Sequence, residues 1–377
     1  MTLPPLWRIF LLPVLLISAG CGVSEEPAEN PDFAVLAQSA EGYASARPGQ
    51  PLEFPRDHGS HPDYRIEWWY LTANLQDPEG RHYGAQWTLF RIAVQPPGKR
   101  QAGNAWQSSQ VYMAHFAITT PEDHVAFQRY ARGGEHGNAS RSGVTEKPFA
   151  AWLDDWILSS SGNEWLPMKV RARQDDYSIS LTLESDKPLI LQGEAGFSQK
   201  HASGGGSFYY SQPYLAASGE LELHGQRIPV SGLAWLDREW SSQFLQLEQV
   251  GWDWFSLHLQ SGEKLMLFQL RQRPGENQPG NFLHGVLISP DGGKVPLNPE
   301  MISLQVLEES PVADRLLPTR WRIDLPQIER NLEIGALHSD QWMNVDFPYW
   351  EGAVIVSGEG PQNSGRGYME LTGYAVD

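Results

Sequence analysis

Apolar and polar residues alternate along this chain in short runs, and no stretch keeps a helical period beyond about ten residues. A first alternating run ends near residue 75, and residues 83–94 return after Asp77-Pro78-Glu79-Gly80, where Pro and Gly supply the backbone angles of a turn. This pattern predicts a hairpin. Residues 111–119 and 125–130 repeat the form around Pro121-Glu122-Asp123, and residues 152–160, 168–172 and 177–184 are further strand candidates. Runs at 220–224 and 228–235 form another hairpin. Residues 252–259 and 264–271 flank Ser261-Gly262-Glu263, and 282–289 and 294–297 flank Pro290-Asp291-Gly292-Gly293. Runs near 319–325, 331–336, 351–357 and 367–371 complete the set. Residues 132–148 and 201–206 are polar and Gly-rich and read as loops, the second as a mobile lip. Short strands at regular spacing predict an all-β protein of sandwiches or barrels, and 377 residues suffice for two.

Composition narrows this little, but charge and the N-terminus do more. A hydrophobic content of 41% against 19% charged residues makes the chain globular. A formal net charge of -17 with no basic patch excludes a nucleic-acid partner. Trp7-Arg8, an apolar run over 9–17, and Ser18-Ala19-Gly20 before the sole cysteine, Cys21, form a secretory signal. Its end is similar to a bacterial lipoprotein signal, which implies lipidation of Cys21, and Gly22 after it points to the outer membrane where two membranes exist. The expected organisation is a leader over 1–20, a flexible Ser-, Glu- and Pro-rich tether over 21–51, and folded domains over 52–242 and 243–377. A mature chain with no second cysteine relies on core burial rather than disulfides.

The densest chemistry lies in Trp235-Leu236-Asp237-Arg238-Glu239-Trp240. On a strand, Trp235, Asp237 and Glu239 share one face and Arg238 takes the other. Carboxylates beside Trp suit either an acid in an apolar pocket or an inter-barrel ion-pair network, and Arg238 would hold Asp237 ionised if it folded back. Glu67-Trp68-Trp69-Tyr70 reads as a core strand or a ligand-lining wall, and Glu67 needs a partner, Arg65 or Arg91. His58, His61, His115 and His136 lack the spacing of a metal site, no Gly-x-Ser-x-Gly elbow is present, and Gly204-Gly205-Gly206 does not open a helix as a phosphate loop does.

These boxes, with Ser207-Phe208-Tyr209-Tyr210-Ser211-Gln212-Pro213, Tyr349-Trp350-Glu351-Gly352 and Gly367-Tyr368-Met369-Glu370-Leu371, resemble the AttH-like and carotenoid 1,2-hydratase (hydroxyneurosporene synthase) family. The resemblance implies two lipocalin-like antiparallel β-barrels packed side by side. It also implies that Asp237 matches the catalytic acid of the hydratase branch. The residues around that Asp differ: Trp235 replaces a Tyr, Leu236 and Arg238 replace His, and Glu239 replaces Asn. By offset, Phe208 and Tyr210 stand where that branch has a His-x-Trp pair. The AttH branch it resembles more closely holds lipoproteins or periplasmic proteins associated with transporter components.

Three functions are therefore open. The first is an envelope lipoprotein that binds a long apolar ligand, isoprenoid or acyl, through Trp235, Trp240, Phe208, Tyr210, Glu67 and Trp69. The second is a hydro-lyase that adds water to an isoprenoid double bond, with Asp237 as acid and Glu239 and Arg238 beside it. That chemistry needs no cofactor, because protonation of the alkene gives a tertiary cation that water captures. The third is a non-catalytic adaptor of an ABC-transporter complex.

Overall fold

The computed structural model describes residues 40–99, 109–133, 141–202, 204–246, 248–273 and 280–375. Cys21, the leader and most of the tether lie outside them. Among the described residues, twenty-three strands fold into two antiparallel sheets. The first sheet runs β4(His124–Arg132), β3(Gln110–Thr119), β2(His82–Ala93), β1(Ile66–Gln76), β13(Gln226–Ser241), β12(Gly206–Leu223), β9(Tyr177–Glu184), β8(Met168–Gln174), β7(Trp156–Ser160), β6(Phe149–Leu153) and β5(Ser142–Glu146). Two short strands, β10(Ile190–Leu191) and β11(Phe197–Gln199), add to β12. The second sheet runs β17(Lys294–Leu297), β16(Phe282–Ile288), β15(Lys264–Gln272), β14(Gln249–Leu259), β23(Gly365–Leu371), β22(Tyr349–Ser357), β20(Arg330–Ala336), β19(Arg315–Leu325) and β18(Ser303–Val312), with β21(Trp342–Met343) beside β22.

Both sheets curl into barrels, because alternation loads one face of each with large apolar side chains that must meet one another. The first interior holds Trp69, Trp87, Phe116, Trp156 and Leu236, and the second holds Phe255, Trp321, Trp350 and Met369. A third apolar cluster lies outside both interiors, between the barrels, and includes Tyr70, Tyr209, Trp235, Trp254, Phe268 and Tyr368. An all-β chain of two lipocalin-like barrels side by side is therefore the observed fold. Among the described residues, no helix is long and apolar enough to cross a membrane.

Several boundaries differ from the pattern-based reading. Residues 152–160 hold a tight turn at Asp154, with φ of 54°, so two strands stand where one was expected. The loop predicted over 132–148 contains β5. β18 carried no alternation because most of it faces solvent. The tether is shorter than expected. Ala46 and Leu52 pack into a cluster with Phe208 and Trp240, and Tyr43 donates to the Ala93 carbonyl at 2.9 Å, so this end is docked on the first barrel.

Candidate functional site

The pairing register of β1 and β13 builds the site. Trp68 lies opposite Glu239, Tyr70 opposite Asp237 and Thr72 opposite Trp235. Neighbouring strands continue these rows, since opposed residues share a face. One row is Met113, Phe90, Trp68, Glu239 and Tyr209, and the next is His115, Thr88, Tyr70, Asp237 and Ser211. The second barrel answers with a row of its own: His284, Phe268, Trp254, Glu370 and Glu351. A cavity of about 130 Å³ lies between these walls, and Trp68, Tyr70, Phe90, Trp252 and Trp254 line it together with Asp237, Glu239 and Glu370. That volume holds roughly a six-membered hydrocarbon ring. It takes the end of a chain and not its length.

Asp237 is almost fully buried, and among the described residues no cation pairs with its carboxyl. Oδ2 accepts from the Tyr209 hydroxyl at 2.8 Å, and Oδ1 accepts from Trp235 Nε1 at 2.7 Å and from the Ser211 hydroxyl. Burial outweighs these donors and pushes the acid up to about 7. Glu239 differs: Lys200 Nζ lies 2.9 Å from Oε1, and Ser207 donates to the same oxygen. The Lys200 ammonium also sits over the rings of Phe268, Phe244 and Tyr209, at 4.2, 5.1 and 5.2 Å. Across the cavity Glu370 accepts from Trp252 Nε1 at 2.7 Å, and burial raises it to about 8. Glu351, buried beside Tyr70 and Tyr349, is pushed well above the carboxylate range by burial and then by Glu370.

Arg238 does not fold back on Asp237. It lies on the opposite face of β13, stacks over the Trp69 ring at 3.8 Å, and pairs with the buried Glu67 carboxylate. Arg91 holds the other oxygen of Glu67, and the His61 backbone N–H donates to both, at 2.9 and 3.1 Å. Desolvation opposes ionisation here, yet these two guanidiniums hold Glu67 well below its ordinary value. Arg65, the other partner expected for Glu67, does not pair with it. His61 stacks on Trp240 at 4.0 Å, and Arg238 donates to the Gly59 carbonyl at 2.7 Å. This network ties the loop at 56–64 to β1, β2 and β13 inside the first barrel. It takes the place of the alternative in which Arg238 joins Asp237 and Glu239 in an ion-pair network.

The predicted ligand-lining set therefore divides. Trp235 faces the inter-barrel space. Glu67, Trp69, Phe208, Tyr210 and Trp240 face away from the cavity, because each is one residue out of step with it. Their chain neighbours Trp68, Tyr70, Tyr209 and Glu239 line it instead. The His residues are dispersed: His58 stacks on Trp165 and bonds Tyr210, and His115 bonds the Tyr349 hydroxyl at 3.0 Å. His136 lies outside the described residues. No group of metal-ligating side chains occurs among the described residues.

Lys200, Trp254, Glu351 and Glu370 carried no sequence signal as site residues. Each of the strand residues among them stands on the outer face of a barrel strand, which ordinarily meets water. Only the packing of one barrel on the other buries them.

Comparison with known proteins agrees with this architecture. The family model described as AttH-like matches residues 45–374. A crystal structure described as an AttH from Nitrosomonas europaea is 35% identical and superposes with a TM-score of 0.74, covering 88% of this chain and all of the other. Kievitone hydratase from Nectria haematococca shares the fold at 13% identity and a TM-score of 0.59, covering 89% of this chain and 98% of its own. CghA, solved with Sch210972, shares it at 11% identity and 0.54, covering 90% and 98%. No curated protein matches the chain significantly. With the match spanning both barrels, the chain belongs to the AttH-like family.

Proposed function

We propose that the inter-barrel cavity admits the unsaturated end of an apolar molecule and that Asp237 protonates it, so that the protein is a cofactor-free hydratase. One observation carries this reading. Among the described residues, Asp237 is the carboxyl of the first barrel that lines the cavity without a cation, because Arg238 is committed to Glu67 and Lys200 to Glu239. An acid held near 7 by burial is protonated in a useful fraction at neutral pH and is poised for proton transfer. Its proton forms a C–H bond with one alkene carbon, and the neighbouring carbon becomes a tertiary cation. The ring faces of Trp68, Tyr70 and Trp254 stabilise that cation. Water then bonds to it through oxygen and gives up one proton, so the net change is addition of H2O across C=C. The name of a structural relative, kievitone hydratase, supports the chemistry only by likeness of fold.

A second reading is binding without turnover. It is favoured by the three donors on Asp237, which stabilise the anion that the acid role must form only transiently. Incubation with prenyl alcohols in H2 18O separates the two. Labelled product from the wild type, absent with Asp237→Asn, supports the hydratase. Tight uptake of N-phenyl-1-naphthylamine with no labelled product from any trisubstituted alkene leaves a binding protein. No uptake and no product leaves the adaptor role.

The leader and Cys21 support a lipid-anchored position at the envelope, where a tethered pocket would draw apolar ligand from the membrane or from a transporter beside it. Cys21→Ala is expected to move the protein from the membrane to the soluble fraction, and an unchanged distribution argues against the anchor.

A further inference from the structure

His258 lies near the end of β14, and strand pairing sets a basic residue on each side of it. Arg366 of β23 and Lys264 of β15 are its direct partners. Opposed residues share a face, so Arg366, His258 and Lys264 form one row across three adjacent strands, about 10 Å from end to end. The row stands on the outer face of the second barrel, where that barrel meets the first. His258 meets the Trp235 ring edge-on at 5.8 Å, and Lys264 Nζ lies 4.9 Å from the centre of the Tyr214 ring. A cleft of about 680 Å³ between the barrels is lined by Arg366 and His258 from the second and by Gln76, Ser218, Ser231 and Leu233 from the first. It shares no lining residue with the cavity at Asp237. Trp235 stands between the two, touching His258 while its indole N–H goes to Asp237.

This row offers donors and no acceptor. His258 is almost fully buried, and among the described residues neither of its ring nitrogens has a partner. A neutral imidazole carries an N–H on one of them, so a buried donor goes unmet. Lys264 is buried and Arg366 half-buried, and among the described residues neither makes an ion pair. Burial alone moves them, lowering Lys264 to about 8 and Arg366 below its ordinary value. A fourth basic group, His82, lies behind Gln76 at 3.1 Å. Glu184, exposed on the first barrel, is the one carboxylate among the described residues that line the cleft. Grouping basic side chains in a partly dry interface is costly unless an anion joins them. A chain with a net charge of -17 has carboxylates to spare, yet pairs none with this row.

We infer that the cleft is a phosphate-binding site, with Arg366 as the contact at its open side, His258 at its floor and Lys264 adding charge from the end of the row. The guanidinium presents paired N–H groups that match two phosphate oxygens, and the buried imidazole N–H gains the acceptor it lacks. The phosphate is either a free ion or the headgroup of a lipid. Leu233, 37% exposed, and Leu259 give the cleft an apolar edge for whatever the phosphate carries. The site does not depend on the hydratase reading.

Titration calorimetry with inorganic phosphate at neutral pH tests it, on the protein carrying Cys21→Ala so that no acyl chain contributes. Arg366→Gln should weaken binding about 10-fold or more, and Arg366→Lys, which keeps the charge and loses the fork, should fall between it and the wild type. His258→Gln should weaken binding several-fold, whereas Lys169→Gln, exposed on β8, should leave it unchanged. Should the buried His258→Gln fail to fold, the two Arg366 variants, at the open side, still decide. Co-sedimentation with vesicles separates the sources. Phosphate binding that depends on Arg366, with no retention on vesicles, assigns a free ion. Retention on vesicles of equal parts phosphatidylcholine and phosphatidylglycerol, absent with phosphatidylcholine alone and lost in Arg366→Gln, assigns a lipid headgroup. No binding in either assay, or binding that Arg366→Gln leaves at the wild-type strength, overturns the site.

Discussion

Asp237 concentrates the residue-scale argument. In the folded chain it keeps its proton up to about 7, whereas the unfolded carboxyl loses it near 3.8. The folded state therefore binds the extra proton between these values. The stabilising contribution is complete below 3.8 and is lost as pH rises to 7, by up to about 4 kcal/mol. Asp237→Asn should erase this slope. In urea unfolding, the variant is expected to gain on the wild type as pH rises from 4 to 7, and parallel curves would refute the shifted acid. Ser211→Ala removes a donor to the carboxylate and should move the alkaline limb of activity upward by about one pH unit. Glu67→Gln tests the other face. It leaves the Arg91 and Arg238 guanidiniums buried without their shared anion and should cost about 3–5 kcal/mol by chemical denaturation.

At the scale of the element, β1 performs two tasks through alternation. Trp69 is fully buried in the first barrel, and its Nε1 donates to the His58 carbonyl at 3.0 Å. Trp68, one residue away, lines the cavity. Trp69→Ala should cost about 3–5 kcal/mol of stability. Trp68→Ala should cost far less stability and weaken uptake of N-phenyl-1-naphthylamine several-fold. If both variants lost the same property, the division of faces would be wrong. The same alternation explains what could be read before the fold was known. Trp235, Asp237 and Glu239 share a face wherever β13 lies. Phe208 and Tyr210 were placed by offset from another family member, and a strand forgives no error of one residue, since each step turns the side chain to the opposite face. β18 escaped notice for the complementary reason, that a strand with little to bury shows no pattern.

The whole molecule carries opposed sets of buried titratable groups. Burial lowers His58, His115 and His124 to about 3, His284 to about 4, and His258 well below 6.5. It raises Asp237 to about 7, Glu370 to about 8, and Glu351 well above the ordinary range. As pH falls below 6.5 the unfolded chain takes up protons on these histidines that the folded chain refuses. Protons refused by these five histidines outweigh those that Asp237, Glu351 and Glu370 keep only in the folded state. As pH rises above 6.5 the histidines are neutral in both states, and the folded carboxyls lose protons at a cost. The melting temperature should therefore peak near pH 6.5 within the range 4 to 8, and a steady rise to pH 8 in calorimetry would contradict it. What the sequence by itself determined is local: strand periodicity, turns, an all-β chain with two apolar interiors, and the shared face of Trp235, Asp237 and Glu239. These depend on spacing along one chain segment. The tertiary structure alone decided that Arg238 belongs to Glu67, that the cavity lies between the barrels rather than within one, and that Glu370 confronts Asp237. Those outcomes depend on register and docking. Residues more than a hundred positions apart share one buried space there, and desolvation and charge act through that space rather than along the chain.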